Sequence, residues 1–265
     1  MADSVVPPNR LKRKLAANEA CYSVAIRVGR TTDVIGIAAA AGYDAVYLDM
    51  QHSGLDLSLI GPMAQFATAL GVTPLVRVAD HTPSHASRAL DVGAMGIIFP
   101  DVEDAETARR CADACRYPPE GKRSASGSGP QMVYRPVSLR DGMAAANAEC
   151  LVIAMIESQK GADNAAAIAA VPGVDALLVG TNDLSANLGV HGEHGHAKVR
   201  ACYEKAIAGA RAAGKPLISA GIASPDILKQ YVAMGASRCC FLGTDAGALL
   251  DGFRLAREKV APVVG

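Results

Sequence analysis

With 265 residues, 50% of them hydrophobic and 20% charged, the chain has the apolar material for one large α/β domain. Lys+Arg and Asp+Glu each number 26, so the formal net charge is zero, which argues against nucleic acid or an anionic membrane as partner and for a small molecule. No apolar run reaches the roughly 18 residues of a membrane-spanning helix, and the N-terminal stretch lacks the apolar centre of a signal peptide, so the expected location is the cytoplasm.

Residues 1–20 are expected to form a lead-in, with prolines between Val5 and Asn9 and a short basic helix from Leu11 to Ala17 lying over one end of the domain. Residues 21–265 are read as a single domain. Its first strand is Tyr22 to Val28, followed by helix-start signals at Thr31 and Thr32 and an Ala-rich helix to Ala41. A motif then recurs: a glycine able to end a helix in the left-handed conformation, one or two residues, and an apolar burst. It occurs as Gly42-YDAVYLD, Gly71-VTPLVRV, Gly93-AMGIIFP, Gly173-VDALLVG, Gly214-KPLISAG and Gly235-ASRCCFLG. With Cys150 to Ile156 and the Tyr22 strand this makes eight strands, and amphipathic stretches lie between nearly all of them: 57–70, 83–92, 105–115, 161–170, 197–213, 225–234 and 246–260. Continuous apolar strands alternating with helices imply a parallel sheet covered on both faces, the texture of a (β/α)₈ TIM barrel. A doubly wound open sheet is the rival, but Val28-Gly29-Arg30-Thr31-Thr32 is neither a GxGxxG turn nor a P-loop. Tyr117 to Arg140, rich in Pro, Gly and Ser, is too long for an ordinary loop and is expected to be functional, as lids often are. Seven cysteines (Cys21, Cys111, Cys115, Cys150, Cys202, Cys239, Cys240) lack zinc-type pairing and are expected as reduced core residues.

Polar residues gather where the strands end: Asp49, Gln51 and His52, then Arg77, Pro100-Asp101, Glu157, Gly180-Thr181-Asn182-Asp183, Ala220-Gly221 and Gly243-Thr244-Asp245. In a barrel that end is the catalytic rim. Glu157 and Asp183 suit a hard divalent ion, which is usually held by one or two carboxylates and completed by water and substrate oxygens. Arg77 could hold a carboxylate or an oxygen gaining charge. Asp49 could orient His52 as a general base, and the N–H groups of Thr181, Asn182 and Asp183 could take a substrate carboxylate. Each also has a structural alternative: Asp49, Glu157 and Asp183 as helix caps and Arg77 as an ion pair across the mouth. His191, Glu193, His194 and His196 in VHGEHGH are expected in a flexible surface loop. Lys160, Lys215 and Lys229 lie outside the apolar strands, which argues against a Schiff base.

LDMQHSGLDL, the Arg of PLVRV, RYPPEGKR, MIES and VGTNDLSANLG, in this order, resemble the HpcH/HpaI aldolases, the metal-dependent class II pyruvate aldolases, from about Cys21 to Val260. The resemblance implies a trimer of dimers, a homohexamer, with C-terminal helices exchanged between barrels. It implies that Glu157 and Asp183 hold Mg²⁺, Mn²⁺ or Co²⁺ with the 2-oxo acid on it, that Arg77 stabilises the enolate, and that His52 with Asp49 moves the proton. Asp91 falls where the family sends a carboxylate into a neighbouring subunit's site. Gln51, counted among the substrate contacts, stands where Glu is commonest, Met155 where many members carry Gln, and SASGSG replaces a glycine-led loop. The expected activity is cleavage or formation of 4-hydroxy-2-oxo acids from a 2-oxo acid and an aldehyde. Alternatives are oxaloacetate decarboxylation, another 2-oxo acid nucleophile, a CoA-ester lyase, which would want a basic surface, and a non-catalytic barrel serving as a binding module.

Overall fold

A computed structural model describes residues 5–264; residues 1–4 of the expected lead-in and residue 265 lie outside the described residues. Eight parallel strands close into a barrel in sequence order: β1 (Cys21–Ile26), β2 (Ala45–Asp49), β3 (Thr73–Arg77), β4 (Gly96–Phe99), β5 (Leu151–Ile156), β6 (Ala176–Gly180), β7 (Leu217–Ala220) and β8 (Cys239–Thr244). Twelve helices are described: α1 (Arg10–Ala16), α2 (Asp33–Ala40), α3 (Leu57–Ala69), α4 (Pro83–Asp91), α5 (Ala105–Cys115), α6 (Leu139–Glu149), α7 (Gln159–Asp163), α8 (Ala165–Ala169), α9 (Thr181–Asn187), α10 (Ala197–Ala212), α11 (Pro225–Met234) and α12 (Asp245–Val264). The expected (β/α)₈ TIM barrel is the architecture found.

Side chains alternate along each strand, so one set fills the barrel and the other meets the helices. Ala45, Leu75, Ile98, Ile153, Leu178, Ile218 and Phe241 pack inside, whereas Val46, Leu48, Val76, Ile97 and Val152 belong to the layer under the helices. Leu11 and Leu15 of α1 join the interior set and close the end where the strands begin. β4 can approach β5 closely because Gly96 has no side chain: a Cβ there would sit 2.5 Å from the Leu151 carbonyl oxygen and 2.8 Å from Leu75 Cδ2. The seven cysteines are free and buried.

Four local expectations are corrected. β1 stops at Ile26, two residues short of Val28, because the N–H groups of Arg27, Val28 and Gly29 turn onto the Asp245 carboxylate instead of continuing the ladder. The helix expected over 161–170 is two short ones, broken at Asn164, whose amide donates to the Glu103 carbonyl. An unforeseen helix, α6, starts at Ser138, whose hydroxyl accepts the Asp141 N–H at 3.1 Å. The long segment after α5 is not a lid over this chain's rim: it leaves α5 where β5 begins, pinned by Arg116 to the carbonyls of Asn147 and Cys150.

α12 stands away from the barrel. Of its 20 residues only Asp245 is buried, and Leu249, Leu250, Phe253, Leu255 and Val260 are exposed. Between β1, α2 and the root of α12 lies an apolar groove of about 370 Å³, lined by Val24, Ile26, Val34, Ile37 and Leu249 among others.

The close approach at Gly96 sets a stability test. Gly96→Ala should destabilise the chain by about 1–3 kcal/mol, the usual cost of overpacking, whereas Gly252→Ala in the open part of α12, with nothing within 4 Å of the new Cβ, should cost nothing; urea unfolding of both variants checks the contrast.

Candidate active site at the C-terminal rim

β2 and β3 are in register with Asp49 opposite Arg77, and both side chains follow the inward set, Ala45-Tyr47-Asp49 and Thr73-Leu75-Arg77. The guanidinium grips the carboxylate with two bonds, Nε to Oδ1 at 2.9 Å and Nη2 to Oδ2 at 2.6 Å. A second guanidinium, Arg27 at the end of β1, donates Nε to the same Oδ2 at 2.6 Å. Asp49 is fully buried. Burial alone would raise its carboxyl pKa, but the hydrogen bonds and charge of Arg77, and then those of Arg27, reverse that and hold it low. Beneath them Arg77 lies over the Tyr47 ring, 5.7 Å from its centre, and Tyr47 stacks on Phe241 at 5.6 Å.

The loop after β2 is folded onto Asp49. Oδ1 accepts the backbone N–H groups of Gln51 at 3.1 Å and His52 at 3.3 Å, and the Ser53 hydroxyl donates to the Asp49 carbonyl. The expected Asp49–His52 side-chain pair is absent: His52 is exposed, and the carboxylate oxygens are occupied by two guanidiniums and two backbone N–H groups. Gln51 is half-buried with its Oε1 enclosed and unpartnered.

Across the mouth, Glu157 follows β5 and is 4% exposed. Its Oε2 accepts the Asp101 N–H at 2.9 Å, while Oε1 is buried without a hydrogen-bond partner. Asp101 reaches this position in the left-handed region, φ +50°. Burial first, and then the Asp101 and Asp183 charges, push the Glu157 carboxyl up to about 8 against the pull of the Asp101 N–H and Arg77. Gly180 makes room for it, since a Cβ there would lie 2.5 Å from Glu157 Oε1 and 2.6 Å from Met155 Cε. Asp183 stands exposed in the first turn of α9.

Thr181 is buried and anchors α9: its hydroxyl oxygen lies 2.7 Å from both the Tyr203 hydroxyl and the Ala220 carbonyl, donating to the latter. The VHGEHGH segment lies mostly at the surface, as expected, and is tied down at His194. Tyr231 donates to the His194 carbonyl at 2.5 Å, and His194 Nε2 lies 2.9 Å from Asn182 Oδ1. Burial lowers the pKa of His194, which favours the neutral ring.

Among the described residues no group of three or more His, Cys, Asp or Glu forms a ready metal cage. The pair of carboxylates, one with an enclosed oxygen that nothing satisfies, is of the kind that would suit a hard divalent cation. Asp91 is elsewhere. It ends α4 on the side where β4 begins and pairs with Arg123 of RYPPEGKR at 2.6 Å. Arg27 is a rim residue that sequence reading missed, although the spacing Ser23-Ala25-Arg27 along the inward face of β1 signalled it.

A family model described as HpcH/HpaI aldolase/citrate lyase matches residues 14–251. The chain belongs to the HpcH/HpaI aldolase/citrate lyase family. The 5-keto-4-deoxy-D-glucarate aldolase of Salmonella paratyphi A is 36% identical over 264 residues, covering 98% of each chain. The 4-hydroxy-4-methyl-2-oxoglutarate aldolase of Chaetomium globosum is 38% identical over 216 residues, 81% of this chain and 80% of that one. An HpcH/HpaI aldolase from Desulfitobacterium hafniense has the same fold with a TM-score of 0.89 and 31% identity, covering 96% of this chain and 98% of that one. Membership makes this chain an aldolase-type lyase. Among the described residues no helix is long and apolar enough to cross a membrane.

The raised Glu157 pKa fixes a sign. Unfolded, the group titrates near 4.5; folded, near 8. The folded chain therefore holds a proton that the unfolded chain releases, and stability falls as pH rises from about 4.5 to about 8. Without added metal, Glu157→Gln should gain in melting temperature over the parent at pH 8 relative to pH 5; a difference independent of pH would contradict the shift.

Proposed function

We propose that this chain is a divalent-metal-dependent aldolase that cleaves or forms 4-hydroxy-2-oxo acids through a pyruvate-type enolate. The observation that carries the reading is Glu157: a buried carboxylate with one oxygen unpartnered, raised toward neutrality, and close enough to Asp183 and Arg77 to feel both charges. Glu157 and Asp183 would hold Mg²⁺, Mn²⁺ or Co²⁺, which, when bound, supplies positive charge to the oxygens of the 2-oxo acid.

The chain's own groups do the rest. The N–H groups of Thr181, Asn182 and Asp183, beside the side-chain-free Gly180, receive the substrate carboxylate, and the unpartnered amide oxygen of Gln51 can accept from a substrate hydroxyl. His52 takes the C4 hydroxyl proton. As C3–C4 breaks, the bonding electrons pass toward the keto oxygen and the aldehyde leaves. Arg77 has Nε and Nη2 committed to Asp49 and keeps Nη1 for the oxygen that gains charge. Protonation at C3 yields pyruvate. Asp49 contributes by holding Arg77 and the backbone of Gln51 and His52. The same reading takes the protein as cytoplasmic, as its composition leads one to expect.

The assembly proposed is a trimer of dimers with C-terminal helices exchanged. It would cover the apolar stripe of α12 with a partner barrel's groove beside β1 and α2, and it would let Asp91 serve a neighbouring subunit's site. Phe253, 69% exposed, tests this part: Phe253→Asp should shift sedimentation velocity toward smaller species, and an unchanged distribution sinks the exchange.

For the chemistry, pyruvate release is measured on a panel of 4-hydroxy-2-oxo acids and oxaloacetate after EDTA treatment and after return of each metal. Activity should vanish and return, and Glu157→Ala or Asp183→Ala should lose about 100-fold or more. Activity that survives chelation would overturn the reading.

A further inference from the structure

One peptide unit at the rim is held from both ends. The N–H of Asp101 donates to Glu157 Oε2 at 2.9 Å, and the carbonyl of the same peptide, that of Pro100, lies 2.5 Å from His81 Nε2. A carbonyl oxygen only accepts, so Nε2 carries the proton and the imidazole is the donor. His81 lies beyond the end of β3, Pro100 follows β4 and Glu157 follows β5, so the ends of three successive strands meet through this one plane. Pro100 is buried and His81 half-buried.

The backbone shows which way the plane would turn without those bonds. Rotating a peptide plane changes ψ of the residue before it and φ of the residue after it, while the flanking chain stays in place. Here the flank is anchored, because the Val102 N–H donates to the Met155 carbonyl at 3.0 Å. Asp101 has φ +50°, in the left-handed region that residues with a Cβ avoid. Turning the Pro100–Asp101 plane over would return Asp101 to negative φ, and it would swing the N–H away from Glu157 and the carbonyl oxygen toward it. Local backbone preference thus opposes the orientation that the structure holds. The bond from Asp101 favours the ionised Glu157 carboxylate against its burial. At the other end of the plane the restraint is His81.

We propose that His81 is a positioning residue for Glu157: it holds the Pro100–Asp101 peptide with its N–H toward Oε2, so that Oε1 is left as the open oxygen of the carboxylate. The geometry stands whatever ligand Glu157 serves, and its consequence for a divalent cation rests on the aldolase reading. The backbone of His81 is set independently of its ring. The Val78 N–H donates to the Ile98 carbonyl at 3.2 Å and the Thr82 N–H to Asp80 Oδ1 at 2.8 Å, so replacing the ring leaves the turn in place.

The test reads this peptide directly. With ¹³C in the proline carbonyls and ¹⁵N in the aspartates, only Asp101 and Asp226, the two aspartates that follow a proline, give correlated amide signals. Asp101→Asn identifies one signal by removing it, and Asp226 in α11 is the internal control. In His81→Leu the Asp101 signal should move upfield as the bond to the carboxylate is lost, with Asp226 unmoved. In His81→Gln, whose amide can donate to the same carbonyl, it should stay near its place in the parent. Mn²⁺ titrated calorimetrically should bind His81→Leu about 10- to 100-fold more weakly than the parent, the usual loss when a partner behind a metal ligand is removed, and His81→Gln should recover most of that affinity. An Asp101 signal that stays in place in His81→Leu, moves only together with that of Asp226, or is displaced as far by His81→Gln overturns the proposal. The two readings separate: a displaced Asp101 signal in a protein whose parent form binds no Mn²⁺ leaves His81's role standing and removes the metal site, whereas equal Mn²⁺ binding by the parent and His81→Leu keeps the metal site and removes His81's role.

Discussion

The two guanidinium bonds from Arg77 to Asp49, at 2.9 and 2.6 Å, close the open end of the barrel between β2 and β3, in a stack whose lower layers are apolar. Buried pairs of this kind add little net stability, because desolvation offsets most of the attraction, yet removing one partner costs about 3–5 kcal/mol. Their value is positional. With Asp49 ionised and immobile, its second lone pairs fold the next loop by accepting the N–H groups of Gln51 and His52, and its Oδ2 draws Arg27 in from β1. Three strands and one loop thus take their rim geometry from one carboxylate.

The opposite side of the mouth is built on the reverse principle. Glu157 is enclosed with too few partners, receiving one N–H from a strained left-handed residue and nothing on its other oxygen. A satisfied carboxylate and an unsatisfied one face each other, and the charges of Arg77 and Glu157 influence one another across the gap. One side is complete within the protein, while the other keeps a buried carboxylate oxygen without a hydrogen-bond partner. A site divided this way can hold a fixed cationic wall while its oxygen donors remain available to a ligand.

Much of this was legible in the residues. Recurring glycine-plus-apolar bursts announce eight buried strands, and polar residues at the ends of those strands mark the rim, because both follow from local periodicity. What depends on register was harder. Asp49 looks like a partner for His52 because they are neighbours in sequence, whereas its true partner is Arg77, which only strand pairing brings opposite. Arg27 looks like part of a strand until the inward alternation of Ser23 and Ala25 is carried one step further. The segment 117–140 follows a helix, so in a barrel it must emerge where strands begin, and its length alone misled. α6 does carry a local signal, Ser138 with Asp141 at the third helical position, whose carboxylate accepts from the Ser138 hydroxyl at 2.7 Å.

Asp245 deserves notice for where it stands. It is the first residue of α12, and it accepts the N–H groups of Arg27, Val28 and Gly29. The outward-reaching C-terminal helix and the charged arm at the end of β1 are therefore pinned to a single carboxylate. The helix that reaches farthest from the barrel and the end of β1 at the rim thus share one anchor, with no chain of intervening side chains between them.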